Sequence, residues 1–112
     1  MTKPVFMKEK KKNNQNLILC HVSISGRVQG VFYRLNTIKR AQSLGISGWV
    51  TNCPDGRVEA VIVGPENKIS QMIAWFWQGP KLAKVEKVEI ISQEEVDRNP
   101  FPNFSCQKEV PR

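Results

Sequence analysis

Residues 17–45, LILCHVSISGRVQGVFYRLNTIKRAQSLG, carry a two-residue apolar periodicity at one end and a helical one at the other. In the first ten residues Cys20, Val22 and Ile24 alternate with His21, Ser23 and Ser25, so an extended strand has one apolar face and one polar face. Gly26 ends that strand. After GRVQGVFYR, the residues Leu35, Ile38, Ala41 and Leu44 recur every third position, which predicts a narrow apolar stripe on a helix. Gly45 follows where a left-handed C-terminal cap belongs.

Two further strand-like runs, ISGWVTN and RVEAVIVG, flank Cys53-Pro54-Asp55-Gly56. Proline presets φ and glycine supplies positive φ, so the pair predicts a hairpin. Gly64-Pro65-Glu66 opens a second helix, with proline and an acid in the first turn. Ile69, Met72, Ile73 and Phe76 then fall at i, i+3, i+4 and i+7, and Gly79-Pro80 stops the helix. Lys84 to Ile91 reads as a strand with Val85, Val88 and Ile90 at irregular spacing. SQEEVDRNPFPN reads as a polar loop, and Phe104 to Val110 as a short last strand. The order predicts an α+β ferredoxin-like βαββαβ sandwich, two helices on one face of a mostly antiparallel sheet. That architecture hosts many functions, so function rests on the site.

The 112 residues suit one domain. No apolar run approaches the ~18 residues of a membrane span, and residues 1–16 hold no apolar signal core, so a cytoplasmic protein is expected. The net charge of +7 is uneven: five lysines and one glutamate place +4 on residues 1–16. Residues 1–16 are therefore expected to be a basic, disordered tail, and residues 17–112 the domain. Cys20, Cys53 and Cys106 form no CxxC pair, and His21 is the only histidine, a pattern of reduced thiols rather than a zinc site. Cys20 and Cys106 fall in strand-like segments and are expected in the core.

Two segments are candidates for chemistry. Gly26-Arg27-Val28-Gln29-Gly30-Val31-Phe32-Tyr33-Arg34 joins a strand to a helix start. Successive amides in such a loop can converge on an oxyanion, beside the unsatisfied N–H groups and positive dipole of the helix. Arg34 adds a guanidinium able to grip phosphate with two N–H groups. Glycines at a helix start also serve plain turn geometry, and the loop is neither a Walker nor a Rossmann fingerprint. Asn52 ends a strand just before the turn, where it either bonds local backbone or presents its amide to a water. His21 lies on the strand face opposite the core, Trp49 reads as core, and one of Trp75 and Trp77 must face outward.

Together these residues resemble a known family. GRVQGVFYR at 26–34 is similar to the phosphate-binding loop of the acylphosphatases, and LGISGWVTNCPDGRVE at 44–59 to their second signature, in the same order and at the same separation. Gly64-Pro65 and the A-x-V-x-x-V run at 83–88 fit as well. The resemblance covers roughly residues 17–110. It implies hydrolysis of acyl phosphates, with the amides of Gln29, Gly30, Val31, Phe32, Tyr33 and Arg34 cradling phosphate. The Arg34 guanidinium would bind phosphate oxygens and Asn52 would orient the attacking water. It implies no cofactor, metal or phosphoenzyme. The implied partners are a small acyl phosphate and inorganic phosphate or a similar anion; no membrane, no nucleic acid, and a monomeric chain are expected. Tyr33 stands where the family often has phenylalanine, and Phe104-Ser105-Cys106-Gln107-Lys108 departs from the family's usual ending.

A ferredoxin-like RNA- or protein-binding module is the competing reading, supported by the basic tail. Base-stacking sheets of this shape display aromatics on central strands; residues 17–26 have none and Trp49 stands alone on the next strand. A related domain that binds phosphate without turnover is a third reading.

Overall fold

Strand β1 (Leu17–Arg27) is an inner strand of the sheet, with both of its edges paired. Ile18, Cys20, Val22 and Ile24 are almost completely buried on one face, as the alternation predicts. Its edges pair antiparallel with β3 (Val58–Pro65) and β4 (Lys84–Val96). β2 (Ser47–Asn52) pairs antiparallel with β3, and β5 (Phe104–Cys106) joins β2 in parallel, giving the order β4-β1-β3-β2-β5. Helices α1 (Tyr33–Leu44) and α2 (Glu66–Gln78) cover one face of this five-stranded sheet, which is the ferredoxin-like sandwich read from the sequence. The computed structural model describes residues 16–106. The expected tail, apart from Asn16, and the expected strand beyond residue 106 lie outside the described residues. Among the described residues no helix is long and apolar enough to cross a membrane.

Register decides which side chains reach the helices. Cys20 pairs with Ile62, Val22 with Ala60 and Ile24 with Val58, and β2 adds Gly48, Val50 and Asn52 to the same three rows. Paired residues share a face, so Asn52 lies on the helix-covered face, at the end of the row formed by Ile24 and Val58. Phe104 and Cys106 extend the rows of Gly48 and Val50. Phe104 is buried, whereas Cys106 is exposed. The expectation of a core role therefore holds for Cys20, where burial pushes the thiol up to about 11, and fails for Cys106. β5 is the sheet edge, and past Phe104 it has run out of core to face.

Helix α1 corrects the expected stripe. Its fully buried residues are Tyr33, Thr37 and Ala41, spaced four apart, while Ile38 and Leu44 pack only partly and Leu35 is 49% exposed. Two hydroxyls are buried at small cost because each has a partner. Thr37 Oγ1 donates to Tyr33 O at 2.8 Å, and Tyr33 OH donates to Phe76 O at 2.7 Å. Phe76 is in the last turn of α2, where carbonyls lack intrahelical donors, so Tyr33 joins the start of one helix to the end of the other. The second helix is as read: Ile69, Met72 and Phe76 are buried, Ile73 packs against them, and Trp77 faces outward.

The irregular spacing in β4 has a cause. The partner of β1 jumps from Ser92 to Ile90 and again from Lys87 to Val85, so Ile91 and Glu86 are the extra residues of two bulges. The strand also runs on to Val96, through the stretch read as loop. Gly26 sits against the second bulge with φ 125, and a Cβ there would lie 2.3 Å from Lys84 O. Only glycine permits that approach.

Candidate active site

The loop between β1 and α1 crosses the top of the sheet beside the end of β2. Phe32 is its last residue and the N-cap of α1, in the left-handed conformation at φ 66, ψ 24. For a residue with a Cβ this costs roughly 1–3 kcal/mol. No side chain caps the helix end that follows this turn. Those amides have no intrahelical acceptor and carry the positive end of the dipole.

Gln29 holds the loop in place. Its Nε2 donates to Cys53 O at 2.9 Å and to Arg57 O at 2.8 Å, so one side-chain amide spans the β2–β3 turn. The turn is closed by Cys53 N to Arg57 O at 2.8 Å and Gly56 N to Cys53 O at 3.1 Å. Arg57 braces it from the opposite face of the sheet: Nη1 donates to Ser23 Oγ and Glu59 Oε2 at 2.7 and 3.0 Å, and Nε to Asp55 Oδ2 at 2.8 Å. Burial works against the Glu59 carboxylate, but hydrogen bonds from Arg57 and His21 outweigh it and hold the carboxyl below its ordinary value. His21 Nε2 stands 3.2 Å from Glu59 Oε1, and the imidazole meets the edge of Trp49. His21 and Trp49 thus share the face away from the helices. His21 is where the sequence reading puts it, though paired, and Trp49 lies half-buried outside the core expected for it.

Asn52 and Arg34 meet across this arrangement. Both line a cleft of about 450 Å³ with Gly30, Phe32 and Tyr33. Gln29 and Val31 are not in its lining: the Gln29 side chain is spent on the turn, and Val31 is buried in the core. Asn52 Oδ1 is buried without a hydrogen-bond partner among the described residues, an orphan acceptor that ordinarily costs ~1–3 kcal/mol. Arg34 Nη1 lies 3.5 Å from Cys106 Sγ, and Cys106 joins the cleft lining. Arg34 is the one charged side chain in that lining among the described residues; no carboxylate or imidazole reaches it. The phenol of Tyr33 is pushed well above its ordinary range by burial and is committed to Phe76. Among the described residues no three His, Cys, Asp or Glu side chains group to hold a metal.

Sequence reasoning missed three contributors. The Gln29 side chain is one; a polar residue inside a glycine loop is the signal. Cys106 is another, and it left no signal because the parallel pairing of β5 cannot be read locally. Leu35 and Ile38 are the third, assigned to core by their spacing and found in the cleft lining.

A family model for acylphosphatases matches residues 20–106. The acylphosphatase of Acaryochloris marina is 52% identical over 75 residues, 67% of this chain and 81% of its own length. That of Methylococcus capsulatus is 40% identical over 90 residues, 80% of this chain and 96% of its own. The solved acylphosphatase of Coxiella burnetii superposes with a TM-score of 0.71 at 36% identity, over 88% of this chain and 99% of that one. The match runs through the loop, the turn and the sheet that brings them together, and on it the chain belongs to the acylphosphatase family.

Proposed function

We propose that the cleft hydrolyses acyl phosphates, with phosphate held by Arg34 and the amides of residues 29–34, and water oriented by Asn52. The observation that carries this is the meeting of Arg34 and Asn52, from different elements, at the uncapped start of α1. Water attacks phosphorus, and the bond from phosphorus to the acyl oxygen breaks with its electron pair leaving on the carboxylate. Both water protons stay with the product phosphate. The leaving carboxylate is stable without protonation, so positioning and stabilisation of phosphoryl charge are the main demands. A loose transition state spreads that charge over three oxygens, which suits a ring of amides and one guanidinium. The Asn52 side-chain amide, in the same cleft lining as Arg34, orients the attacking water. With no protein base in the lining among the described residues, a substrate phosphate oxygen takes the water's first proton.

The same proposal makes the reaction metal-free and the chain a cytoplasmic monomer. Every group it uses comes from one chain, and the buried thiols of Cys20 and Cys53 suit a reducing compartment.

Phosphate release from acetyl phosphate tests it. Arg34→Ala raises KM and lowers kcat, and Asn52→Ala lowers kcat, each by about 10²-fold or more in kcat/KM, the scale of losing one charge-stabilising group. A folded variant with parent kinetics removes the role given to that residue. No turnover above the uncatalysed rate in the parent leaves only an anion-binding domain.

A further inference from the structure

The cleft is larger and more apolar than a phosphoryl group requires. At roughly 30 Å³ for each water-sized group, the five heavy atoms of a phosphoryl group fill about a third of its 450 Å³. Arg34, Asn52 and the loop occupy one part of the lining. Leu35 and Ile38, one to four residues further along α1, supply another, with Phe32 beside them.

Ile38 also packs against the core, but Leu35 and Phe32 are not placed there by it. Leu35 is 49% exposed and Phe32 64% exposed, although each has apolar surface whose burial would stabilise the fold. Phe32 holds a left-handed backbone while exposing its ring. Among the described residues the lining offers no charged side chain besides Arg34 and no carboxamide besides Asn52. Both sit with the loop. An acyl group carrying a carboxylate or ammonium would lose water against this wall and find no partner.

We infer that the cleft selects acyl phosphates whose acyl group is apolar, an aromatic or branched aliphatic acid, with Phe32, Leu35 and Ile38 as the specificity-determining wall. This rests on the reading of the cleft as the acyl phosphate site. The phosphoryl end is fixed by Arg34 and the amides, and the acyl end lies along the first turns of α1.

The test compares benzoyl phosphate with acetyl phosphate, each kcat/KM divided by the uncatalysed hydrolysis rate of the same compound. The parent favours benzoyl phosphate about tenfold or more, the discrimination a small apolar contact gives. Leu35→Ser cuts that preference about threefold or more. So does Phe32→Asn, whose side chain suits the left-handed backbone. Leu82→Ser, an exposed leucine outside the cleft lining, leaves the preference unchanged. Equal treatment of the two compounds by the parent overturns the inference while leaving acyl phosphate hydrolysis standing. A preference that survives both wall substitutions overturns it too. If neither compound is turned over, the underlying reading fails and takes the inference with it.

Discussion

Replacing Gln29 with leucine separates the two halves of the site without touching either Arg34 or Asn52. The structure gives the magnitude. Gln29 Nε2 donates two hydrogen bonds, at 2.9 and 2.8 Å, to Cys53 O and Arg57 O. A typical bond of this kind contributes about 0.5–1.5 kcal/mol net, so losing both costs about 1–3 kcal/mol. For 112 residues each kcal/mol moves Tm by roughly 4 °C, so Gln29→Leu melts about 4–12 °C lower. The kinetic effect is the sharper one. Cys53 directly follows Asn52, and Gln29 lies in the loop that leads to Arg34, so the lost strut lets the loop and the amide drift apart. A displacement of 1 Å at a reacting centre costs on the order of 10²-fold. Thermal melts and acyl phosphate kinetics are measured on one preparation. The expected result is a kcat lower by 10- to 100-fold at temperatures where the variant is fully folded, with KM changed much less, because Arg34, the proposed phosphate ligand, is untouched. Gln29→Glu, which sets a carboxylate against two carbonyls, is at least as damaging. A Tm drop with parent kcat shows that the loop and Asn52 are held together by something other than Gln29, and the reasoning fails.

Three further outcomes follow from the same structure. Tyr33→Phe removes the hydroxyl that donates to Phe76 O at 2.7 Å and lowers stability by about 1–1.5 kcal/mol in denaturant melts; an unchanged midpoint means another donor serves that carbonyl. Gly26→Ala forces a Cβ to 2.3 Å from Lys84 O at φ 125 and costs about 3–5 kcal/mol from strain and overlap, seen as loss of soluble or cooperatively melting protein. Glu59 has a folded pKa below its ordinary 4.5, so its ionised form stabilises the fold above that value and the contribution is lost as pH falls through the lower folded value. Melting temperatures from about pH 6 to pH 3 should therefore fall less steeply in Glu59→Gln than in the parent; parallel curves would refute the assignment.

Legibility in the sequence followed the range of the interaction. β1 and α2 were readable because alternation and the i, i+3, i+4 pattern are local consequences of one buried face each. Both signature segments were readable through their resemblance to the acylphosphatase motifs, since glycines at a helix start and an asparagine before a turn also serve plain turn geometry. α1 was misread in detail, since its pattern of leucine and isoleucine pointed to one face. The face that packs carries Tyr33 and Thr37, whose hydroxyls are acceptable only because partners exist elsewhere. The end of β4 was hidden by two bulges, each shifting the inward positions by one residue. Cys106 was placed in the core because a strand position says nothing of whether the strand is an edge. The cleft wall was hidden for the same reason: apolar spacing predicts burial against something, and it does not name a ligand.

Two local costs meet at the cleft. Phe32 has a left-handed backbone, and Asn52 Oδ1 is buried without a partner among the described residues. Each is worth roughly 1–3 kcal/mol against the folded state. The hydrogen bonds of Gln29 and Tyr33 offset a similar amount, and they tie the two costly residues to the turn and to α2. A sequence relieved of these costs, with glycine at 32 or an apolar residue at 52, would fold more easily. It would also lose Phe32 or Asn52 from the cleft lining. On the proposed function, these local violations sit where phosphoryl charge develops in the transition state. If the cleft binds phosphate as proposed, phosphate raises Tm in the parent by mass action and raises it less in Arg34→Ala.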